Sequence, residues 1–527
     1  MRQIQYYYSR GIEYGKVPAS SYREDGKVKK RKDGIYLGKV IDKNSHTFFS
    51  DERGMFVFNP EDQSFGKADE KYVSDPIPDK RRKERMLLDF GDSFLTNEVI
   101  HAMKYHTVIS QISYRNQDTL NAMIQYYVLQ DNANRHAQKW YEGNYIRILY
   151  PKANLTSQRI SDFLASIGSM EKLHQYFKAH IEWVKTNICS DPAILIDSTG
   201  LPNSIHMALS AISNHNGKIS REARITTMVQ RDSGYPLMFR LAPGNITDMS
   251  SLTRSIQELG MHGVCTDFAL LDAGYFTNDN IDQLYKAKID YLTRLPERNS
   301  TIADKVRDLL LPNLKSETNL VNYEGRRIYI AHADIKVGSK NDNDATAYLG
   351  YDIDRASDET HKLIKKAQKK KLSNKEFQAA FDDVGLFILV SSLPFRDEEV
   401  LAAYYVRQLV EQYFDVGKGI SKLTPLRVWS EEAVRGHLML SMIAATINLY
   451  TMNTTKKFYS DREDMYMSLR NQKCIVYNTK INTSEAQSIA NDYYDKLKIQ
   501  CPLYIEKGTN GSLIPHYSLD DFIPDEV

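Results

Sequence analysis

Residues 404–418 read "YYVRQLVEQYFDVGK". Laid on a helix at about 100° per residue, Tyr404, Arg407, Glu411 and Lys418 fall within an arc of roughly 60°. Val406, Leu409, Tyr413 and Val416 take the opposite side, where an amphipathic helix meets its core. A charged stripe of this kind is ordinarily a solvated face. Its glutamate gains chemical meaning only if other carboxylates converge on it, and two candidates lie upstream. "AILIDST" (193–199) and "FALLDAGY" (268–275) are apolar runs that lead into Asp197 and Asp272. Such runs are expected of buried central strands, and α/β sheets place their sites at strand carboxyl ends. Taken singly, each aspartate reads equally well as a turn former.

Three carboxylates form the all-oxygen set that hard divalent cations require. Two Mg²⁺ ions about 3.5–4 Å apart, with Mn²⁺ as a substitute, suit in-line displacement at phosphorus. Phosphoryl transfer needs mainly positioning and charge neutralisation, so few other side chains are called for. Arg407 and Lys418, one and two turns from Glu411, would grip flanking phosphates. Tyr404 would hydrogen-bond a phosphate or pack against a sugar. Arg294, at the end of the strand-like "IDYLTRL" (289–295), is a further DNA-contact candidate.

The elements that must position these residues can be read from the pattern. Residues 193–199, 223–230 and 235–242 read as strands, with a hairpin signature at "RDSG" between the last two. A helix over 248–259 follows, with Asp248 near its N-cap. Then come the strand 268–275, a helix at "NDNIDQLYKA" and a fifth strand at 289–295, giving the order β-β-β-α-β-α-β. The two aspartates are 75 residues apart. Across this topology the first and fourth strands can be neighbours, so the carboxylates can converge. About a hundred residues then interrupt the order with strand-like runs and a lysine-rich helix, closing at "GLFILVSS" (385–392). The apolar helix "GHLMLSMIAATINLYTM" (436–452) follows.

Upstream, residues 1–85 are rich in short β-prone runs and hold the basic runs "KVKKRK" (27–32) and "DKRRKER" (79–85), which favour phosphate contact. Residues 86–189 carry helical periodicity, with Ser157 and Ser161 as caps and Gly168 as a breaker. This pattern suits a DNA-binding helical module, and it suits a plain bundle as well. The tail, 453–527, offers no functional signal.

Composition sets outer bounds. Formal charge is +2 over 527 residues, so any polyanion surface must be local. Four dispersed cysteines, without a C-x-x-C pair, argue against a zinc ribbon or a disulfide framework. No apolar run is long enough to span a membrane, no secretory h-region is visible, and a cytoplasmic location is expected. No nucleotide-binding G-x-x-x-x-G-K-[ST] occurs.

The run Y-x2-R-x3-E-x6-K, at Tyr404, Arg407, Glu411 and Lys418, resembles the signature of a large group of bacterial insertion-sequence DDE transposases. "ILIDSTG" and "LLDAGYFTNDNI" are similar to that group's two aspartate motifs. "APGNITD" resembles its "PGN-x-x-D" element, and "LRVWSEEAVRGHLMLSMIA" its "rP…GH" stretch. Pro425 precedes Leu-Arg where relatives often have an Arg-Pro pair. The resemblance is clear from about 190 to 450. It implies an α/β RNase H-like core, a mixed five-stranded sheet with helices, interrupted by a β-rich insertion. The spacing of 139 residues from Asp272 to Glu411 fits a subgroup with such an insertion.

The implied organisation is a basic N-terminal domain (1–85), a helical DNA-binding domain (86–189), the core in two parts (190–296 and 393–452), the insertion (297–392) and a tail domain (453–527). Asp197 would bridge two metal ions, with Asp272 and Glu411 holding one each. The partners would be double-stranded DNA, as the terminal inverted repeats and the target, and a second copy in the synaptic complex. A metal-dependent nuclease without strand transfer, or a DNA-binding protein with structural carboxylates, are the alternatives. A glycosidase leaves Arg407 and Lys418 without a role.

Other residues read as structural. His437 is expected in the core or at a helix end, and Trp183 and Trp429 in packing. Asp248 is expected to cap a helix, Asp267 to stand at the wrong end of its strand, and the lysines of 362–371 to face solvent.

Overall fold

The computed structural model describes the chain except residues 1–2, 10–11, 25–26, 32, 51–52, 69–85, 203–208, 214–219, 246–251, 297–299, 371–372, 407–429, 458–460, 509–510 and 519–527. The chain divides into two units, Met1–Arg85 and Met86–Val527.

The first unit is built of antiparallel strands. β1 (Gln5–Ser9), β2 (Ile12–Val17), β5 (Ile35–Asp42), β6 (Thr47–Ser50), β7 (Gly54–Phe58) and β8 (Phe65–Lys67) form one sheet in that order. β3 (Ser21–Glu24) and β4 (Lys27–Lys30) pair as a separate hairpin. Val17, Leu37, Phe48, Phe56 and Phe58 make the core on one face. Gly15 lets the Phe48 ring lie against the strand, since a Cβ there would come 2.4 Å from a ring carbon.

The second unit holds a ten-stranded mixed sheet. Its strands are β10 (Ile194–Pro202), β11 (Ala211–Ser213), β12 (Ser220–Gln230), β13 (Pro236–Pro243), β14 (Phe268–Leu271), β15 (Asp290–Arg294), β16 (Leu320–Tyr323), β17 (Arg326–Val337), β18 (Asn343–Asp352) and β19 (Leu386–Ser391). The order is β11-β12-β10-β14-β15-β19-β18-β17-β16, with β13 also on β12. β10, β14 and β15 run parallel at its centre. Ile194, Leu195 and Ile196 are buried, as are all four residues of β14 and all six of β19. Burial on both sheet faces explains why these segments read as unbroken apolar runs. The helices Leu252–Met261 and Asn278–Ala287 connect β13 to β14 and β14 to β15.

Two features differ from the expected five-stranded sheet. The strands between 297 and 392 do not make a sheet of their own. β19 pairs antiparallel with β15 and carries β18, β17 and β16 outward on the same sheet. Asp197 is also not the end of its strand, because β12 holds β10 in register as far as Pro202. Asp248 lies outside the described residues, and the helix there begins at Leu252.

A second, five-stranded sheet joins β9 (Met86–Asp89) to β20 (Lys473–Val476), β21 (Lys480–Thr483), β22 (Tyr504–Lys507) and β23 (Leu513–His516). The helices of 91–187 and the C-terminal segment therefore share one core. Its axis is the helix Glu431–Thr455, which is buried along most of its length. It crosses the end of helix Ser157–Ile167 at backbone contact. A Cβ on Gly168 would sit 1.8 Å from the Glu432 carbonyl oxygen, and one on Gly436 2.1 Å from that of Leu164. His437 is buried there, with Nδ1 2.7 Å from the Tyr127 hydroxyl, as its core reading expects. Trp183 is buried too and donates its Nε1–H to the Met103 carbonyl at 2.8 Å.

Two buried polar groups fix the assembly. His180 Nε2 is 2.6 Å from the Pro236 carbonyl, which can only accept, so Nε2 carries the proton and Nδ1 accepts from the Tyr105 hydroxyl at 2.7 Å. Burial lowers the His180 pKa to about 4, against the opposing pull of that carbonyl. Asp92 is fully buried. It accepts from Ser93 N–H at 2.7 Å and from Arg470 Nε at 2.8 Å. Burial pushes its carboxyl up, and Arg470 works in the other direction.

Candidate active site

The register of the central strands decides where the aspartates stand. Ile196 pairs with Leu271, and Leu271 with Thr293. One step further along the same ladders come Asp197, Asp272 and Arg294. Neighbours in a row share a face, and adjacent strands are roughly 4.8 Å apart. On the other side of β10, Asp197 pairs with Thr227 of β12. Continuing the register by one residue sets Thr227, Asp197, Asp272 and Arg294 in sequence, with Asp272 the first residue past β14. This row lies where β14 ends, beyond its C-terminal Leu271.

The two aspartates have the same local geometry. Asp197 Oδ1 accepts from Ser198 N–H at 2.7 Å, and Asp272 Oδ1 accepts from Ala273 N–H at 2.7 Å. Both are half-buried. Asp272 caps the short turn Ala273–Tyr275, and its own carbonyl accepts from Thr293 Oγ1 at 3.3 Å. The sequence marks Thr227 only as part of a strand. Its hydroxyl is buried and has no hydrogen-bond partner, and the signal available for it was a threonine pair inside an apolar strand.

The donor set of the row is oxygen throughout, two carboxylates and one unsatisfied hydroxyl, which is the chemistry a hard divalent cation selects. Among the described residues, no cluster of three or more His, Cys, Asp or Glu suits a metal ion. Glu411, Arg407 and Lys418 lie outside the described residues. Of the signature run, Tyr404 is described. It lies near the end of helix Asp397–Tyr405, half-buried, with its ring 5.7 Å from that of Tyr405. Tyr405 in turn stacks on Tyr323 of β16 at 5.3 Å, below the Arg326 guanidinium. The helix packs against β15, β16 and β17.

Arg294 opens a second feature that sequence reasoning missed. A cleft of about 350 Å³ is lined by Arg294, Arg307, Arg355, Lys362 and Lys366, with Glu359 and Asp383. Five cations face two carboxylates. Arg307 pairs with Asp383 at 2.9 Å and Arg355 with Glu359 at 2.7 Å. Burial pushes the Glu359 carboxyl up, but Gly385 N–H, Arg355 and the charge of Arg294 together hold it below the usual carboxylate range. Lys362 and Lys366 belong to the helix Ile353–Lys370, and both are exposed, as expected of that lysine run. Arg307 and Arg355 carry no spacing signal, because the cleft arises from strands and helices distant in sequence.

Residues 189–447 match the family model of the transposase DDE domain. The matched span contains both aspartates, Arg294, the cationic cleft and the signature run. A solved structure that resembles the chain is the cryo-EM structure of the piggyBac transposase synaptic complex with hairpin DNA. It has 10% sequence identity and a TM-score of 0.39, with 74% of this chain and 82% of that chain covered. No curated protein sequence matches the chain. Among the described residues, no helix is long and apolar enough to cross a membrane.

Proposed function

We propose that the protein is a DDE transposase of the bacterial insertion-sequence group. In this reading it binds the terminal inverted repeats of its element, cuts DNA strands and joins the freed 3′ ends to target DNA. The observation that carries the reading is the row Asp197–Asp272–Arg294 within the span that matches the transposase domain.

Asp197 and Asp272 each follow a residue of the paired couple Ile196–Leu271 and would offer their carboxylate oxygens to one site, with Glu411 bringing the third from the helix that its spacing predicts. These three would hold divalent cations, two Mg²⁺ in the expected arrangement, which when bound supply Lewis acidity to the phosphate oxygens. The chain's other residues orient the DNA. Arg294, the residue after Thr293 that pairs with Leu271, would hold a phosphate next to the scissile one. Arg407 and Lys418 would clamp the backbone from the glutamate helix, with Tyr404 against a phosphate or sugar. The backbone amides that bind Asp197 and Asp272 fix each carboxylate's direction before any DNA arrives, so little reorganisation is left for the reaction. Joining two element ends calls for two active sites, most simply a two-fold dimer.

The test uses labelled element ends, a target plasmid and Mg²⁺ or Mn²⁺. Strand-transfer products are expected from the wild type, and Asp197→Ala should reduce them by at least about a hundred-fold. Cleavage without joining would assign the site to a nuclease. DNA binding with no metal-dependent cleavage in the wild type would sink both.

A further inference from the structure

The first unit has a sheet with two unlike faces. One closes on Phe48 and its neighbours. The other carries an aromatic ladder. Tyr7 of β1 is directly opposite Tyr14 of β2, their rings stacked with centroids 5.7 Å apart. Tyr14 continues to Tyr36 of β5 at 6.4 Å, again stacked. Lysines interleave with the rings. Lys16, two residues beyond Tyr14 and opposite Tyr36, places its Nζ 5.1 Å from the Tyr7 ring centroid, and Lys39 pairs with Tyr14 in the sheet register. Tyr7 is 37% exposed and Tyr36 56%.

Three tyrosines on the open face of a small sheet are not needed for its core. The sheet already buries its own apolar side, and an exposed aromatic ring gains free energy when another flat surface covers it and displaces its water. The charge of the unit narrows the partner. Residues 1–85 contain 19 Lys and Arg against 14 Asp and Glu, a net +5, while the rest of the chain carries −3. A second copy of the same surface would meet like charge. A polyanion that also offers flat rings satisfies both the lysines and the tyrosines. In a duplex the base faces are stacked on each other and cannot reach a protein ring, whereas an unpaired strand exposes them.

We propose that the Tyr7–Tyr14–Tyr36 face binds single-stranded DNA, with bases stacked on the rings and phosphates on Lys16 and Lys39. The choice of DNA over RNA rests on the proposed transposase function; the stacking of an unpaired strand does not.

The test measures binding of the full-length protein to a 5′-fluorescein pyrimidine DNA strand of about 15 nucleotides by anisotropy, in EDTA so that no cleavage intervenes. Tyr7→Ala combined with Tyr36→Ala should weaken binding about ten-fold or more, Tyr36→Phe should stay within about three-fold, and affinity for a duplex of the same length should change less than about two-fold. Circular dichroism melts establish that each variant is folded. Unchanged single-strand binding in the double alanine variant, an equal loss for the duplex, or a Tyr36→Phe loss as large as that of the double alanine variant overturns the proposal. An RNA strand of the same sequence bound more than about ten-fold tighter overturns the assignment to DNA. Failure of strand transfer in the wild type would remove the ground for DNA over RNA but leave the stacking of an unpaired strand on the tyrosines standing.

Discussion

Asp272 and Asp92 share a local motif and nothing else. Each aspartate accepts a hydrogen bond from the next backbone amide at 2.7 Å. Asp272 does so at the carboxyl edge of the central sheet, just past the end of β14, half-buried, between the strands that carry Asp197 and Arg294. Asp92 does so with no exposed surface, and its other oxygen is held by Arg470 from the far end of the chain. A carboxylate at an edge keeps its solvation and can be offered to a ligand. A carboxylate inside has given up its solvation, and its value is confined to the partner that compensates it. Position in the fold, and not the local hydrogen bond, separates a group for chemistry from a group for assembly.

The largest effect should come from the edge. Asp272→Asn keeps the shape and the backbone hydrogen bond but removes the charge. Strand transfer is expected to fall by about a thousand-fold, with thermal stability changed by less than about 1 kcal/mol. A large loss of stability would mean that the two aspartates are not different in kind. The reverse is expected of Arg470→Ala, which leaves Asp92 buried and uncompensated. Unfolding in urea should show a cost of about 3–5 kcal/mol, and a cost below about 1 kcal/mol would put Asp92 in the same class as Asp272.

The third effect is smaller and depends on pH. His180 is neutral in the fold with a pKa of about 4, against 6.5 for the ordinary side chain. Between these values the unfolded chain takes up a proton that the folded chain refuses. Stability contributed by the neutral ring is therefore complete above pH 6.5 and is lost as pH falls toward 4, by about 3 kcal/mol in all. His180→Gln should flatten that part of the stability curve; an equally steep curve in the variant would remove His180 as its source.

Much of the central sheet was legible because its strands are local events. The apolar runs of "AILIDST" and "FALLDAGY" are buried on both faces and so stood out, as did the aspartates that follow them, although β10 continues past Asp197 to Pro202. The parallel register then set Asp197 beside Asp272. His437 and Trp183 were legible as core residues from their apolar surroundings. What a single strand does not encode is its partner. Nothing in "GLFILVSS" says that β19 joins β15 and carries three more strands onto the same sheet, and nothing in "KCIV" points to β9. Arg307, Arg355 and Thr227 were missed for the same reason, since each gains its setting from a neighbour distant in sequence. Arg407, Glu411 and Lys418 stand out by helical spacing and by the resemblance of their run to a transposase signature, and their meeting with the aspartates belongs to the proposed function.

The pairing of β9 with β20, reinforced by Lys473 to Asp89 at 2.5 Å, has a consequence for synthesis. The helical segment after β9 leaves the ribosome early, yet its buried Asp92 awaits Arg470 and its sheet awaits β20 to β23. Domains generally fold as units in the order they emerge. Here the early segment has to persist unfinished until nearly the whole chain has been translated, so its exposed apolar surface is a natural client for chaperones, and a chain that terminates before residue 470 leaves Asp92 without its counter-ion.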